Sequence, residues 1–448
     1  MSRTLQDGLV ELNNLGVRGL MDSKAWLERD EKSVWHPFTQ HSLWLGDEPT
    51  VVDRAEGPWL FDVDGNRYLD GVSSLWVTTF GHRTPEIDAA IRAQLDRLDH
   101  ATFLGATHVP GIELAERLLA TAPTGSGAGT GSGPALAKVF YAGDGASAVE
   151  VALKMAYQAS VQKGDPRPKF VHLREAYHGD TLGAVSVGGM DLFHATYRPL
   201  LLETLTVSSP GVRAGGQSPQ QRAAEVVAEL TSLMATRGGE VCAIVVEPMI
   251  QAAGGMLTYD GEFLRAARRL ATEHGALLIC DEVATGVART GRMWASEHAG
   301  IVPDLLTCGK GLTAGYLPLS AVLTTDEVYQ AFLGAPTRTF FHGHTYTANP
   351  LCCAAANANL DLIASRGLVV QAAELGERLG SLLAPLAGDD RVVEVRRLGT
   401  MTGVEVRSVR ERTGAEVCRA ARRRGVWLRP LGDTVVLMPP LSLPPAET

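Results

Sequence analysis

Six short apolar runs that alternate with helical patterns constrain the fold of this 448-residue chain more than any other feature. Segments with helical spacing, for example 147–162 and 219–235, separate several of them. Strands that are apolar on both faces and alternate with helices are typical of a largely parallel sheet covered by helices. The sequence therefore predicts an α/β domain. The apolar runs are residues 137–141, 169–173, 241–246, 276–280, 305–308 and 319–324.

The segments on either side of this pattern predict a smaller structure. Residues 1 to about 34 are expected to form an amphipathic helical arm, and residues 59–70 a hairpin around an Asp-Gly turn. From about residue 350 an Ala-rich helix is followed by mixed short strands and helices. We expect a large domain over residues 80–346, and a smaller α+β domain formed by residues 1–79 and 347–448.

Charge and cysteine content exclude several classes of function. A net charge of −9 argues against nucleic acid or an anionic membrane as the main partner. No apolar run reaches the roughly 18 residues of a spanning helix, and the N-terminal sequence lacks the apolar segment of a signal peptide. The six Cys show no CxxC spacing and lie in apolar surroundings, which is typical of buried, reduced thiols. We expect a cytoplasmic protein that acts on small molecules.

A glycine-rich segment at residues 125–133 could be mistaken for a nucleotide-binding loop. The dinucleotide fingerprint requires Gly at the first, third and sixth positions after a strand. From each possible start the sixth position here is Thr130, Ser132 or Pro134. The segment also follows a helical pattern and precedes a strand, so we expect a flexible loop.

Two glycine-containing turns follow predicted strands, where ligands bind in open α/β sheets. In the first turn, Gly145 and Ala146 would present backbone N–H groups at a helix N-terminus, which suits a phosphate. An ordinary N-cap at Asp144 is the alternative. In the second, the ring of Tyr177 could stack on a planar ligand, and an ordinary turn capped by Asp180 is the alternative.

Two acidic residues, Asp281 and Glu282, directly follow the apolar strand 276–280. A carboxylate in such a place is costly unless a partner pairs with it. A metal is conceivable, but no nearby His has ligand spacing, so we predict no metal site and favour a protonated ring nitrogen as the partner of Asp281. Arg289 could present its planar fork to a substrate carboxylate, with a surface salt bridge as the alternative.

Lys310 is the most unusual basic residue of the chain. Only seven of the 41 Lys and Arg residues are Lys, and Lys310 is the only Lys after Lys169. A Lys can be deprotonated in an apolar pocket and attack a carbonyl, whereas Arg cannot. A Lys that merely reaches from a turn to solvent would serve equally well as Arg. Together with Asp281, an aromatic ring and a phosphate cradle, Lys310 indicates a pyridoxal phosphate site.

On these residues the sequence resembles the class-III (ω-) aminotransferases of the type I pyridoxal-phosphate fold, over about residues 34–445. Within the family, the first and last matching motifs are similar to those of the members that act in biotin synthesis. The matching motifs are WHPFTQ at 35–40, DGVSSLW at 70–76, YHGDT at 177–181, DEVATG at 281–286 with RTG at 289–291, GKGLT at 309–313, HGHT at 342–345 with NP at 349–350, and WLRP at 427–430 with MPP at 438–440.

The resemblance implies roles for the residues around the cofactor, pyridoxal 5'-phosphate. Lys310 would bond covalently to the cofactor and later move a proton. Asp281 would keep the pyridine nitrogen protonated, and Tyr177 would stack on the ring. The enzyme would be a homodimer, because the phosphate is held from both subunits. The phosphate ligands would be Gly145, Ala146, and His344 and Thr345 of the partner subunit.

The resemblance also implies a reaction and a substrate channel. A ping-pong transamination would convert 8-amino-7-oxononanoate to 7,8-diaminononanoate, with S-adenosylmethionine or lysine as amino donor. Phe38 and Leu75 stand where the S-adenosylmethionine-using members usually carry Tyr and Trp, which favours the lysine-using branch. The substrate-binding residues would be Phe38, Leu75, Trp76, Arg289, Gly343 and Arg429, of which Arg429, with Arg289, would bind the substrate carboxylate.

Other functions stay open at this stage. The first alternative is another class-III ω-aminotransferase that acts on small amines or on β- or γ-amino acids. A non-catalytic ligand-binding protein of the same fold and a nicotinamide-dependent oxidoreductase are more distant alternatives, and the failed glycine fingerprint disfavours the oxidoreductase. The sequence ends at residue 448, where members of the family continue into a final helix, so we expect the small domain to lack one covering helix.

Overall fold

The computed structural model describes residues 21–125 and 135–448. The predicted helical arm falls partly outside this range, and within it the arm contains the helix Ser23–Ser33. Apart from Gly125, the glycine-rich segment also lies outside the described residues. In the two described stretches, no helix is both long and apolar enough to cross a membrane.

All six strands predicted from the apolar runs are present, each within one residue of its expected ends. The short strands Leu205–Val207, Ile250–Gln251 and Leu257–Thr258 were not predicted, because two or three residues carry no measurable periodicity. The strands are β1 Val52–Glu56, β2 Trp59–Asp62, β3 Arg67–Asp70, β4 Leu136–Ala142, β5 Lys169–Leu173, β6 Leu205–Val207, β7 Val241–Val246, β8 Ile250–Gln251, β9 Leu257–Thr258, β10 Leu277–Asp281, β11 Leu305–Cys308, β12 Ser320–Thr325, β13 Val392–Leu398, β14 Met401–Val406, β15 Val426–Trp427, β16 Arg429–Leu431 and β17 Thr434–Leu437.

The long helices begin at residues that suit a helix N-terminus. The side chain of Asp144 caps α5, and Ser218 and Gln221 form a reciprocal capping box at the start of α8, with Pro219 as its first residue. The helices are α1 Ser23–Ser33, α2 His41–Trp44, α3 Pro85–Leu95, α4 Val109–Thr121, α5 Gly145–Gln162, α6 Leu182–Ser186, α7 Asp191–His194, α8 Pro219–Arg237, α9 Gly261–Glu273, α10 Asp326–Gln330, α11 Pro350–Ser365, α12 Leu368–Leu383 and α13 Thr413–Arg422; Ser73–Trp76 forms an irregular helical turn.

The central sheet has seven strands in the order β4-β12-β11-β10-β7-β5-β6. Strands β6, β5, β7, β10 and β11 run parallel to one another, and β12 is antiparallel to both of its neighbours. The expected largely parallel sheet is therefore confirmed. Because the carboxyl ends of the parallel strands meet at one edge, the loops that follow them also meet there.

Helices cover both faces of this sheet. On one face Ile244 and Leu278 pack in an apolar cluster with residues of α8 and α9. On the other face Val245 and Ile279 pack with residues of α5. From Ala243 onward in β7, and along β10, successive residues alternate between two buried clusters, which explains why these strands are apolar throughout.

Two further sheets lie outside the central one. The predicted hairpin is present as β2 and β3, with Gly65 at φ +87° in the turn, and it forms a four-stranded sheet with β1 and β15. Strands β13, β14, β17 and β16 form an antiparallel sheet. Helix α11 packs against α3 and α4. The division into residues 1–79, 80–346 and 347–448 stays a prediction.

A buried ion pair ties helix α9 to the amino end of the central sheet. Arg268 Nη1 lies 2.6 Å from Asp304 Oδ2, and both side chains are buried. The same carboxylate oxygen accepts the backbone N–H of Leu278 at 2.7 Å. Removing one member of such a pair leaves a buried charge without a partner, which is strongly destabilising.

We predict that Arg268→Met lowers the free energy of unfolding by about 3–5 kcal/mol, because Asp304 stays buried without its cation. The neighbouring Arg269 provides a matched control, since it lies on the same helix with its side chain 47% exposed and pairs with Glu273 at 3.6 Å. Arg269→Met should change the stability by less than about 0.5 kcal/mol. Chemical denaturation followed by circular dichroism measures both, and equal effects of the two substitutions would contradict the prediction.

Candidate active site

A cleft of about 490 Å³ opens at the carboxyl edge of the central sheet. It brings together six of the residues predicted from the sequence, namely Trp76, Gly145, Ala146, Tyr177, Asp281 and Lys310. Its volume lies in the range of small-molecule sites. Asp144, His178, Gly179, Asp180, Thr181, Glu247, Ala252, Ala253, Val283 and Ala284 complete the lining.

Four ionisable groups of the cleft follow four adjacent strands. His178 follows β5, Glu247 follows β7, Asp281 ends β10 and Lys310 follows β11. Since the sheet order is β11-β10-β7-β5, these groups form a row along the carboxyl edge. The parallel pairing therefore places two carboxylates between a histidine and a lysine.

Asp281 is held rigidly at the floor of the cleft. Its Oδ2 lies 2.7 Å from His178 Nδ1, and its Oδ1 accepts the hydroxyl of Thr307 at 3.0 Å and the N–H of Val283 at 3.1 Å. Because a carboxylate only accepts hydrogen bonds, Nδ1 is the protonated nitrogen of the imidazole. Burial by itself lowers the pKa of His178, but the hydrogen bond and charge of Asp281 raise that pKa above its ordinary value.

Glu247 is a second buried carboxylate beside His178. Its two oxygens accept the backbone N–H groups of Tyr177 and Ala252, each at 3.0 Å. Burial raises the pKa of Glu247 to about 7, against the opposing charge of His178. The contact with Tyr177 fixes the segment that follows β5, so Glu247 also determines where the Tyr177 ring stands.

Lys310 presents the amine of the site. It begins a short helical turn directly after β11 and has φ +44°. Its Nζ lies 5.3 Å from the ring centroid of Trp76. Burial lowers the pKa of Lys310, although the carboxylates of Asp281 and Glu247 act in the opposite direction. A lysine with a lowered pKa is a nucleophile for carbonyl carbon at neutral pH.

The N-terminus of α5 provides an anion-binding position in the same cleft. Asp144 Oδ1 accepts the N–H of Ser147 at 2.9 Å, whereas Gly145 and Ala146 lie in the first turn, where N–H groups have no acceptor within the helix. A Cβ on Gly145 would lie 2.6 Å from Val283 Cγ1, and one on Gly179 would lie 2.4 Å from the Cβ of Ala146. Both glycines therefore permit a close approach of backbone segments around this position.

Tyr177 lines the cleft between these groups. Its hydroxyl donates to Asp180 Oδ2 at 2.8 Å, and its ring is nearly parallel to that of His194, with centroids 6.4 Å apart. Phe193 contacts the Tyr177 ring edge-on at 6.1 Å. These contacts hold the aromatic ring at the strand end, where a planar ligand could stack on it.

Seven predicted residues lie outside the cleft lining, of which five are on turns or loops and the other two are arginines. Phe38 lines an adjacent apolar pocket and contacts Phe193 edge-on at 5.5 Å. Leu75 is half exposed, immediately before Trp76. Gly343, His344 and Thr345 lie in one exposed loop, and the ring of His344 would lie 3.5 Å from a Cβ on Gly143.

The two predicted carboxylate-binding arginines are in different environments. Arg289 is buried, and its Nη1 and Nη2 donate to the carbonyls of Pro439 at 2.9 Å and Thr78 at 2.8 Å. Arg429 is exposed on β16. Two nitrogens of Arg289 are therefore occupied by main-chain acceptors in this structure, while Arg429 is accessible to solvent.

The turn that carries Trp76 is strained. Ser73, Ser74 and Trp76 have φ of +51°, +61° and +67°, a region that non-glycine residues rarely adopt. Each such residue costs on the order of 1–3 kcal/mol and persists only where surrounding contacts impose it. Such strain is typical of functional sites, and here it lies directly beside Lys310.

Sequence reasoning missed His178 and Glu247 as members of the site. In the sequence, His178 stands out only as part of the YHGDT motif at 177–181. Glu247 follows the fully apolar strand β7, which is the same signal that singled out Asp281. A consistent search for acids directly after apolar strands would have found Glu247.

Comparison with known proteins agrees with this geometry. The model of the family described as aminotransferase class-III matches residues 45–447. The chain belongs to the class-III aminotransferase family. Within the family, the chain is 48% identical over 434 residues to an adenosylmethionine-8-amino-7-oxononanoate aminotransferase of Nitratidesulfovibrio vulgaris, which covers 93% of this chain and 78% of that protein.

Solved structures of class-III aminotransferases and related transaminases share the fold. An adenosylmethionine-8-amino-7-oxononanoate aminotransferase from Methanocaldococcus jannaschii aligns with a TM-score of 0.88 and 37% identity, covering 95% of this chain and 96% of that one. An amine transaminase from an uncultivated Pseudomonas species, solved in its PLP-bound form, aligns with a TM-score of 0.86 and 34% identity, covering 93% and 95%. The predicted type I aminotransferase fold is confirmed.

The buried position of Glu247 predicts a pH dependence of stability. Its folded pKa of about 7 lies above its ordinary value of 4.5. The folded protein therefore binds more protons than the unfolded chain between these values, and stability falls as pH rises through this window. Because the Glu247 charge also raises the pKa of His178, Glu247→Gln should flatten the fall of the thermal midpoint between pH 5 and 8.

An exposed glutamate on α9, Glu262, provides the control, and Glu262→Gln should keep the parent slope. The slope is the informative quantity, because Gln at position 247 can accept only one of the two backbone N–H groups and loses some stability at every pH. An unchanged slope in Glu247→Gln would show that Glu247 does not titrate in this window.

Proposed function

We propose that this class-III aminotransferase converts 8-amino-7-oxononanoate to 7,8-diaminononanoate in biotin synthesis, with S-adenosylmethionine or lysine as amino donor. The observation that carries the proposal is the row of Lys310, Asp281 and His178 beside the N-terminus of α5. The relatives named above support the choice of substrate. We place the reaction in the cytoplasm, where the six buried cysteines stay reduced.

The residues of the cleft fit pyridoxal 5'-phosphate. An aldehyde requires an amine, a pyridine nitrogen requires an acid and a phosphate requires N–H donors, and Lys310, Asp281 and the first turn of α5 supply these three groups. Gly145 and Gly179 let the backbone around the phosphate position pack closely against Val283 and Ala146. When bound, the cofactor supplies an aldehyde that takes up the amine and a conjugated ring that accepts the electrons released at the substrate carbon.

Each ionisable residue then has a role set by its surroundings. The amine of Lys310 would hold the cofactor covalently and, once the amine of the donor had displaced it, would move a proton between its Nζ and the substrate carbon. Asp281, which accepts three hydrogen bonds, would hold a proton on the ring nitrogen of the cofactor. His178 and Thr307 fix the orientation of that carboxylate.

The substrate is bound by residues around the mouth of the cleft. We propose that Arg429 binds the carboxylate of the keto acid. Arg289 supports this site indirectly, because it holds the backbone at Thr78 and Pro439 in place. Trp76 and Leu75 contact the amino donor, and Phe38 lines the approach to it. Without the hydroxyl of a Tyr at position 38, the approach is better suited to an aliphatic amine such as lysine than to a sulfonium.

The active unit is a homodimer in this proposal. The loop at residues 341–346 is exposed and carries Phe341 and Tyr346, which are 79% and 64% exposed. Exposed aromatic residues of this size are typical of protein interfaces. In the dimer, His344 and Thr345 of one subunit contact the phosphate held by Gly145 and Ala146 of the other.

A half-reaction with each donor tests the substrate assignment. The enzyme is mixed with lysine, S-adenosylmethionine or a simple amine alone, and the visible absorbance of the bound cofactor is followed. Loss of that absorbance with lysine or S-adenosylmethionine, followed by conversion of the keto acid, supports the biotin role. Reaction with simple amines alone would favour an amine transaminase, the activity named for the Pseudomonas neighbour.

We predict that Lys310→Arg abolishes turnover while the protein keeps its fold. Arg preserves the positive charge but cannot be deprotonated at neutral pH and cannot bond to an aldehyde. The control is Lys163→Arg, since Lys163 is exposed and pairs with Glu327 at 2.7 Å. Loss of the cofactor absorbance and of more than about 10³-fold in kcat is expected for position 310 only, and undiminished turnover would refute the role of Lys310.

A further inference from the structure

A buried carboxylate, that of Asp70, contacts the backbone of the strained turn Ser73–Trp76. Asp70 is fully buried at the end of β3. Its Oδ2 accepts the N–H of Ser74 at 2.7 Å, and its Oδ1 lies 2.9 Å from the same nitrogen and 3.4 Å from that of Val72. The carboxylate therefore binds the backbone at the residue where the turn is most distorted, with φ +61° and ψ −88°.

His82 completes the environment of this carboxylate. Its Nε2 donates to Asp70 Oδ2 at 2.8 Å. The backbone of His82 is itself fixed, since its N–H and carbonyl pair with Gly57 at 2.7 and 3.0 Å. A Cβ on Gly81 would lie 2.7 Å from the backbone of Gly57, so the two segments are in close contact. Through the Asp70–His82 pair, the turn is therefore fixed relative to the sheet that contains β1, β2 and β3.

The remaining contacts fix the turn to the end of β17. Ser73 Oγ donates to the carbonyl of Met438 at 2.7 Å, and the N–H of Met438 donates to the carbonyl of Gly71 at 2.8 Å. Arg289 binds the carbonyl of Thr78, just beyond the turn. These contacts fix the two ends of the turn, while Asp70 binds its interior.

The turn determines the position of one side chain in the cleft. Trp76 is 7% exposed, its Nε1 is buried without a hydrogen-bond partner among the described residues, and its ring lies beside the Lys310 amine. A turn released from Asp70 would relax towards negative φ, which moves the Cβ of Trp76 and with it the ring. The position of the ring therefore depends on the contacts that hold the turn and not on the preferred backbone conformation of the turn itself.

We propose that Asp70 and His82 are positioning residues that hold the Ser73–Trp76 turn in its strained conformation and thereby set how the amino donor binds against Trp76. The proposal rests on the proposed function only in assigning the donor to this wall of the cleft. The ligand whose binding depends on Asp70 and His82 is a primary amine, with its carbon chain along the indole of Trp76.

The test combines Asp70→Asn with Trp76→Phe in the holoenzyme. Asn keeps the shape of Asp but turns an NH₂ group towards either Ser74 N–H or His82 Nε2–H, so one contact is lost. Asp70→Asn should raise the donor KM about tenfold and lower kcat less than about threefold. In the Trp76→Phe background, Asp70→Asn should add little to the KM, because the effect passes through Trp76.

A second readout is independent of activity. The emission of Trp76 is isolated as the difference between each protein and its Trp76→Phe counterpart, and Asp70→Asn should shift it to longer wavelength as the indole gains solvent. His82→Ala should reproduce both effects. His82→Gln retains a terminal N–H donor and should therefore keep the donor KM and the Trp76 emission of the parent protein. If Asp70→Asn does not fold, the two His82 variants carry the same test.

The matched control is Asp304→Asn, another buried aspartate that accepts a backbone N–H and a side-chain cation, but at the opposite edge of the sheet. It should lose stability without a change in donor KM or in Trp76 emission. Unchanged Trp76 emission in Asp70→Asn, or KM effects of Asp70→Asn and Trp76→Phe that multiply, would overturn the proposal. If neither lysine nor S-adenosylmethionine reacts, KM is measured with whichever amine does react. Failure of the substrate assignment can then be distinguished from failure of the positioning role of Asp70 and His82.

Discussion

The parallel pairing of β5, β7, β10 and β11 is the constraint on which the site depends. In this pairing Ile279 of β10 lies between Val245 of β7 and Leu305 of β11. The strands therefore end side by side, and whatever follows each strand must share one edge. Residues more than a hundred positions apart, such as His178 and Asp281, come within hydrogen-bond distance because their strands, with β7 between them, end at the same edge of the sheet.

The resulting row of charges explains the chemistry better than any single residue does. Burying a carboxylate or an amine separately is costly, but the histidine and the lysine at the two ends of the row offset part of that cost for the two carboxylates between them. Asp281 accepts three hydrogen bonds. Burial raises the pKa of Glu247 to about 7, although the charge of His178 and two backbone donors act in the opposite direction. Burial lowers the pKa of Lys310, while the carboxylates of Asp281 and Glu247 act in the opposite direction.

The wall opposite this row is built on a different physical principle. The sheet positions Lys310 and Asp281 through regular hydrogen bonding, whereas Trp76 is positioned by a strained turn under external contacts. Arg289 shows the same use of distant partners, since it joins Thr78 to Pro439, which are 211 and 150 residues away from it in the chain. The cleft thus combines residues placed by regular strand pairing with a tryptophan placed by contacts between distant segments.

The sequence by itself determined the α/β architecture and the strand ends, and it singled out Lys310 and Asp281 as candidate site residues. It could do so because apolar runs, turn residues and a lysine in an arginine-rich chain are local signals. Only the tertiary structure decided that His178 pairs with Asp281, that Glu247 belongs to the row and that Arg289 binds main-chain carbonyls. Only the tertiary structure also decided that Asp70 holds the Trp76 turn. The partners of these residues are supplied by strand order and by packing between distant segments, and no local pattern in the chain records either of them.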